Sequence, residues 1–224
     1  MEAISSPSGF LLIDKPVGPT SHDIVDIARR ALRTRKVGHA GTLDPFASGL
    51  LILAVGSKTK ELSKFVGLDK AYEATVRFGA TSDTMDRTGK IEQKDCSPVS
   101  QAELETALEK FRGEIDQTPP MYSAKKIGGK KLYELAREGK EIERKPVRVT
   151  IHELELVSFA WPTAVIRTRV SSGTYIRALA DDIGKALGCG AYLEELRRTR
   201  IGTYAVEEAV KPEAIDAMRL TSLE

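Results

Sequence analysis

The stretch GHAGTLDPFASG, residues 38–49, constrains this chain more than any other part of it. Four glycine or proline residues punctuate it: Gly38, Gly41, Pro45 and Gly49. They frame a lone carboxylate, Asp44, and a lone imidazole, His39. Glycine permits close backbone approach and unusual dihedrals, and Pro45 fixes the chain direction directly after the acid. Two readings follow. In one, Asp44 caps a helix that opens at Pro45, where the helix field keeps it ionised. In the other, the loop holds one acid against an anionic partner, and an ionised carboxylate is also what a nucleophile must be.

Charge supports the second reading locally but not globally. The 224 residues carry a net charge of only +2, and 41% hydrophobic with 29% charged residues is ordinary globular composition. Yet residues 29–36, RRALRTRK, hold five Lys or Arg and no acid, and lead straight into the Asp44 loop. Residues 125–148 hold nine Lys or Arg against four Glu. Either run alone reads as a solvated helix face; together, flanking a candidate acid, they suit a polyanion groove.

Cys96 and Cys189 form no CxxC pair, and His22, His39 and His152 lack ligand spacing, so neither a disulfide framework nor a metal is expected. The amino terminus lacks a basic region followed by an apolar stretch, and the apolar run LLILAV at 50–55 is too short to span a bilayer. The expected compartment is the cytoplasm, with no membrane partner.

Apolar patterning places strands at 10–13, 50–55, 147–158 and 163–170. Tyr72, Ala74, Val76 and Phe78 alternate with polar residues, the period of a strand with one buried face, which makes core the default for Tyr72. Thr20 with Asp23, and Ser100 with Glu103, have capping-box spacing ahead of helices whose apolar residues share a face. A short helix is expected at 60–66. A further helix follows the SSGTY turn with Ile176, Leu179, Ala180, Ile183 and Leu187 on one stripe; Arg177 lies off it and is spaced to pair with Asp181 on the helix surface. Strand runs mix with helices without regular alternation, which favours an α+β fold. Residues 117–146 break the pattern and read as a basic insertion suited to clamping RNA, or as a connecting surface segment.

Five blocks, Gly9 to Ser21, Gly38 to Leu51, Lys70 to Gly79, Ser171 to Gly184 and Leu196 to Gly202, occur in an order that resembles the tRNA pseudouridine synthase B (TruB) family. The resemblance spans nearly the whole chain. It implies the pseudouridine synthase fold, a mixed and largely antiparallel sheet with flanking helices and a catalytic cleft. It implies an isomerase that turns the T-loop uridine of tRNA, conventionally numbered 55, into pseudouridine without a cofactor. The glycosidic bond breaks, the uracil rotates, and the base rejoins the sugar through carbon; attack at the ring carbon or at the anomeric carbon stays open.

By the same resemblance Asp44 is the nucleophile and Arg177 its cationic partner. Tyr72 lies against the flipped uracil, and Tyr175 and Leu196 belong to the same pocket. His39 enters the RNA loop where the base has left, unless it is a structural histidine. Lys15, in the DKP turn, touches phosphate or braces the loop. The family continues into an RNA-binding PUA domain, whereas about twenty residues follow the last block here. The expected organisation is therefore a catalytic domain over 1–204 and a short tail over 205–224 without a full PUA domain, implying more salt-sensitive RNA binding. The expected partner is the T arm of tRNA, bound by a monomer without guide RNA. Two alternatives stand beside this reading: a guide-dependent synthase resembling dyskerin, and an RNA-binding module or tRNA folding chaperone.

Overall fold

The computed structural model describes residues 7–123 and 125–223, without the side chains of residues 126, 127, 131 and 137. In chain order the elements begin β1 (Gly9–Lys15), α1 (Ser21–Ala31), β2 (Val37–Ala40), β3 (Ser48–Val55), α2 (Ser63–Val66) and β4 (Lys70–Phe78). There follow β5 (Ala80–Ser82), β6 (Ile91–Gln93), α3 (Gln101–Glu109), β7 (Gly113–Gln117), β8 (Lys126–Ile127), β9 (Lys130–Lys131) and α4 (Leu132–Arg137). The last are β10 (Val147–Ala160), β11 (Thr163–Val170), α5 (Ile176–Ala186), β12 (Ala191–Ile201) and β13 (Tyr204–Ala205). The chain forms two compact units, Met1–Tyr72 with Arg197–Glu224, and Glu73–Leu196.

In the first unit β3 is central. β1 pairs with it antiparallel from Gly9↔Val55 to Lys15↔Gly49, and β12 runs parallel to it at Arg197↔Ser48 and Arg198↔Gly49. β2 pairs antiparallel with the far end of β3, at Val37↔Val55 to Ala40↔Ile52. Both faces of β3 are covered, which is why its sequence is a continuous apolar run rather than an alternation. Leu51, Leu53 and Val55 pack with Leu11, Ile13 and the α1 residues Ile24, Val25 and Ala28. Leu50, Ile52 and Ala54 pack on the other side with Phe10, Phe65 and Ile201. Truncating one of these fully buried leucines to Ala would cost about 2–5 kcal/mol.

The expected capping box opens α1: Thr20 Oγ1 accepts from Asp23 N, and Thr20 N donates to Asp23 Oδ2 at 2.7 Å. Residues after β13 follow the outer edge of β1, where Phe10 and Thr221 exchange backbone hydrogen bonds of 2.9 and 3.0 Å, and Asp14 N donates to Val210 O at 2.9 Å. That covers a sheet edge that would otherwise expose unpaired backbone groups. The helix expected at 60–66 is a 3₁₀ turn over Gly56–Glu61 followed by the single turn of α2.

In the second unit β4, β11, β10 and β7 lie in that order. β10 is antiparallel to both β11 and β7. α3 opens with the expected Ser100–Glu103 box. Within residues 117–146, Leu132 is fully buried and Leu135 nearly so, and Tyr133 N donates to Ser123 O at 3.0 Å. Antiparallel pairing of β3 with β1 and β2, and of β10 with β11 and β7, with helices between strand runs, makes the fold α+β, as the sequence predicts.

Candidate active site

Asp44 sits in the connection between β2 and β3, and the chain around it is tied down on three sides. Ser21, the first residue of α1, clasps Leu43: its Oγ donates to Leu43 O at 3.1 Å and accepts from Leu43 N at 2.8 Å. In the DKP turn, Gly18 N donates to Pro45 O at 2.8 Å. From β12, Arg198 donates to the carbonyls of Gly41, Thr42 and Leu50. Leu43 and Phe46 insert into the core, at 3% and 4% exposure, while Asp44 between them is half-buried.

The helix expected after Asp44 is not there. Ala47 N donates to Asp44 O at 3.1 Å, closing a turn over 44–47 that leads directly into β3. Pro45 serves a turn's second position as readily as a helix start, since both require φ near −65°. No helix field therefore acts on Asp44 from its own segment. A positive charge that acts on it is that of Lys15, which is fully buried and interacts electrostatically with Asp44. Lys15 Nζ donates to Pro16 O at 2.8 Å and Pro19 O at 2.9 Å, so it braces the DKP turn. Burial lowers its pKa to about 8; Asp44 counters that shift and Arg198 adds to it.

His39, on β2, is half-buried, and its Nδ1 has no hydrogen-bond partner among the described residues. Burial, reinforced by the Arg198 charge, lowers its pKa below the usual imidazole range, so the ring is neutral at pH 7. A neutral aromatic ring suits stacking among bases. Tyr72 departs from the alternation that predicts a core residue: Ala74, Val76 and Phe78 are buried, but Tyr72 is half-buried.

In the second unit, Gln117 at the end of β7 clasps Tyr175 as Ser21 clasps Leu43. Tyr175 N donates to Gln117 Oε1 at 2.8 Å, and Gln117 Nε2 donates back to Tyr175 O at 3.1 Å. Tyr175 itself is half-buried, and Leu196 on β12 is 8% exposed.

Arg177 is not on the helix surface, as its place off the apolar stripe suggests, but 5% exposed. Nη1 donates to Thr84 O at 2.9 Å and lies 3.3 Å from Asp86 Oδ2, and Nη2 donates to Tyr122 O at 2.7 Å. Asp86, also buried, accepts from Thr84 Oγ1, Thr88 N and Thr88 Oγ1 on its other oxygen. Asp181, the alternative surface partner that the spacing offers Arg177, pairs with Lys185 at 2.6 Å.

Four side chains that sequence reasoning did not single out thus hold the segments that carry the site residues: Ser21, Asp86, Gln117 and Arg198. Their partners are mostly backbone atoms far along the chain, for which no residue pattern exists to be read. Among the described residues no cluster of three or more His, Cys, Asp or Glu side chains is arranged to hold a metal ion.

Three comparisons show which proteins the chain is similar to. Residues 29–176 match the family described as TruB family pseudouridylate synthase (N terminal domain), and residues 177–222 match the tRNA pseudouridylate synthase B C-terminal domain. The chain is 54% identical over 209 residues to tRNA pseudouridine synthase B of Azoarcus sp., covering 93% of this chain and 70% of that one. It is 49% identical over 207 residues to the protein of that name from Aquifex aeolicus, covering 92% and 72%.

Among solved structures it resembles a chain of an H/ACA RNP bound to a substrate RNA containing 2'-deoxyuridine, with a TM-score of 0.70 at 28% identity. It is also similar to a chain of a Cbf5-Nop10-Gar1 complex, with a TM-score of 0.71 at 29% identity. It covers 92% and 91% of itself in these two superpositions but only 51% and 52% of those chains, about half their length. With a family match across most of its length and curated relatives at half identity, the chain belongs to the TruB family of pseudouridylate synthases.

Proposed function

We propose that this chain is a tRNA pseudouridine synthase that isomerises the T-loop uridine, with Asp44 as the nucleophile. The near-half identity to proteins named tRNA pseudouridine synthase B carries the reading. The geometry around Asp44 supports it: a half-buried carboxylate on a loop tied at Leu43, Pro45 and both ends, in the field of a buried ammonium group. Such preorganisation fixes a reacting group without restraint from the substrate.

The reaction is redox-neutral. The bond from the anomeric carbon to the ring nitrogen N1 breaks, a bond from that carbon to the ring carbon C5, which is not a neighbour of that nitrogen, forms, and the proton displaced from C5 leaves for solvent while the freed nitrogen takes one up. Reaching the uridine requires taking it out of its stack, at a cost of a few kcal/mol. Stacking on an aromatic side chain returns about 1–3 kcal/mol per base. Tyr72 and Tyr175 serve the uracil, with Leu196 as an apolar wall; neutral His39 fills the vacated space in the RNA. Lys15 and Arg177 are the cations of the site, and residues 117–146 clamp the RNA. The enzyme works as a monomer in the cytoplasm. Its cysteines are free thiols, and no helix among the described residues is long and apolar enough to cross a membrane.

The likeness to the chain of the H/ACA complex favours a second reading, in which a guide RNA delivers the substrate. One assay separates them. The purified protein is incubated with an unmodified tRNA transcript and no guide, and pseudouridine is mapped by chemical adduct and reverse-transcription stops. Modification of the T loop without guide supports the tRNA reading, and binding without product supports a chaperone. Asp44→Asn is expected to keep RNA affinity and lose turnover; turnover by this variant would remove Asp44 from the nucleophile's role.

A further inference from the structure

Arg198 is 2% exposed and is the largest fully buried side chain among the described residues. Its three acceptors are all main-chain carbonyls, and they lie on both sides of Asp44. Nε donates to Leu50 O at 2.8 Å, Nη1 to Thr42 O at 3.4 Å and Nη2 to Gly41 O at 3.3 Å. The planar fork therefore closes the base of the loop, joining its outgoing strand at Leu50 to its incoming arm at Gly41 and Thr42. Its own backbone is fixed by the parallel pairing Arg198↔Gly49, where a glycine allows close approach.

Among the described residues Arg198 makes no ion pair. Burying a guanidinium without a carboxylate is costly unless its donors are satisfied. Its charge is felt nearby, where it lowers the proton affinity of Lys15, His39 and Lys70. An apolar residue of similar volume would fill the space without that cost, but it would take this donor from the carbonyls of Gly41, Thr42 and the buried Leu50 and leave the loop unclosed.

We propose that Arg198 is a positioning residue for the reaction: it sets the Asp44 carboxylate by clamping the two arms of its loop, and does not itself touch substrate. The proposal rests on the tRNA pseudouridine synthase reading. The guanidinium acts through fork geometry, since one ammonium group cannot span acceptors at residues 41, 42 and 50 from the position of a branched fork. Arg198→Ala strands the carbonyls and is expected to compromise folding, so Arg198→Lys, which keeps the charge and loses the fork, is the working variant.

Three quantities are measured on the full chain: the single-turnover rate with saturating tRNA transcript, the affinity for that transcript, and amide hydrogen exchange across the protein. Arg198→Lys is expected to lower the single-turnover rate about 10²-fold, the scale of a misplacement near 1 Å, with affinity changed by about twofold or less. Amide exchange should accelerate at residues 41–50 and not across β1 or α1. An unchanged rate overturns the proposal. So does an affinity loss equal to the rate loss, or faster exchange throughout the unit, either of which makes Arg198 merely structural. If the wild-type protein makes no pseudouridine, the functional reading fails instead, and the exchange pattern alone decides whether Arg198 holds the loop.

Discussion

Asp14 and Arg197 meet as a two-pronged pair, Nη1 at 3.0 Å from Oδ1 and Nη2 at 3.0 Å from Oδ2, with Lys211 Nζ at 2.7 Å from Oδ2 as a third contact. Asp14 precedes Lys15 on β1, and Arg197 precedes Arg198 on β12, so this pair fixes the two strands that carry the brace and the clamp of the Asp44 loop. It also ties in the segment after β13 through Lys211.

Burial pushes the Asp14 carboxyl up, but Arg197 and Lys211 outweigh it and hold the group below its usual range. A lowered native value means stability that is fully present above the unfolded value near 4 and lost as pH falls through the native one. Asp14→Asn is expected to cost about 2 kcal/mol at pH 7, the scale of hydrogen bonds to charged groups. The deficit relative to wild type should shrink as the wild-type carboxyl is protonated below pH 4. Urea unfolding at pH 7 and pH 3 measures both.

Gly49 has φ of +107°, and a Cβ there would lie 2.2 Å from Arg198 O and 2.7 Å from Arg198 N. Both obstacles are backbone, which cannot swing away as a side chain would. Gly49→Ala is therefore expected to destabilise by about 3 kcal/mol or more, combining strained φ with overpacking. Thermal unfolding checks this, and Gly18→Ala, at a positive φ with nothing within 4 Å, is the comparison that isolates the clash.

Lys70 is 7% exposed, and its ammonium group donates to Val66 O at 2.6 Å and Leu68 O at 2.5 Å. Burial, with a smaller contribution from the Arg198 charge, lowers its pKa to about 8. The unfolded chain holds that proton to about pH 10.4, so between pH 8 and 10 the unfolded state binds more protons and this group makes stability rise with pH. Lys70→Met removes the term. Wild-type stability relative to Lys70→Met should accordingly increase from pH 7 to pH 10 in paired urea titrations, whatever the shared trend of the two curves.

What was legible in the sequence was what is local. Thr20 with Asp23 and Ser100 with Glu103 are contacts three residues apart, and both boxes form as read. The run LLILAV is a strand covered on both faces. Asp44-Pro45 misled because a turn and a helix start ask the same φ of proline, and only the pairing of the next residues into β3 decides between them. For Arg177 helical periodicity alone points to the surface, because it classes a charged residue by its place on the wheel, whereas its acceptors at Thr84 and Tyr122 lie 93 and 55 residues away. Arg198 left no trace for a simpler reason. It binds carbonyls, and every residue has one.

Tyr72 offers the sharpest separation of core from site. A fully buried aromatic truncated to Ala costs about 3–5 kcal/mol of stability. Tyr72 is half-buried at the start of a strand whose Ala74, Val76 and Phe78 form the buried side. Tyr72→Ala is therefore expected to lower stability by about 1 kcal/mol or less, since only part of its apolar surface leaves water on folding. On the proposed role of Tyr72 against the flipped base, losing the ring should weaken capture of the reacting uridine by about 1–3 kcal/mol, roughly 5- to 150-fold in turnover. Tyr72→Phe keeps the ring face, so it should retain the stacking contribution and lose only what the hydroxyl supplies. Chemical denaturation and single-turnover kinetics on the same three proteins give the two numbers side by side: a large stability loss with proportionate activity loss returns Tyr72 to the core, and a small one with a large rate loss places it against the substrate.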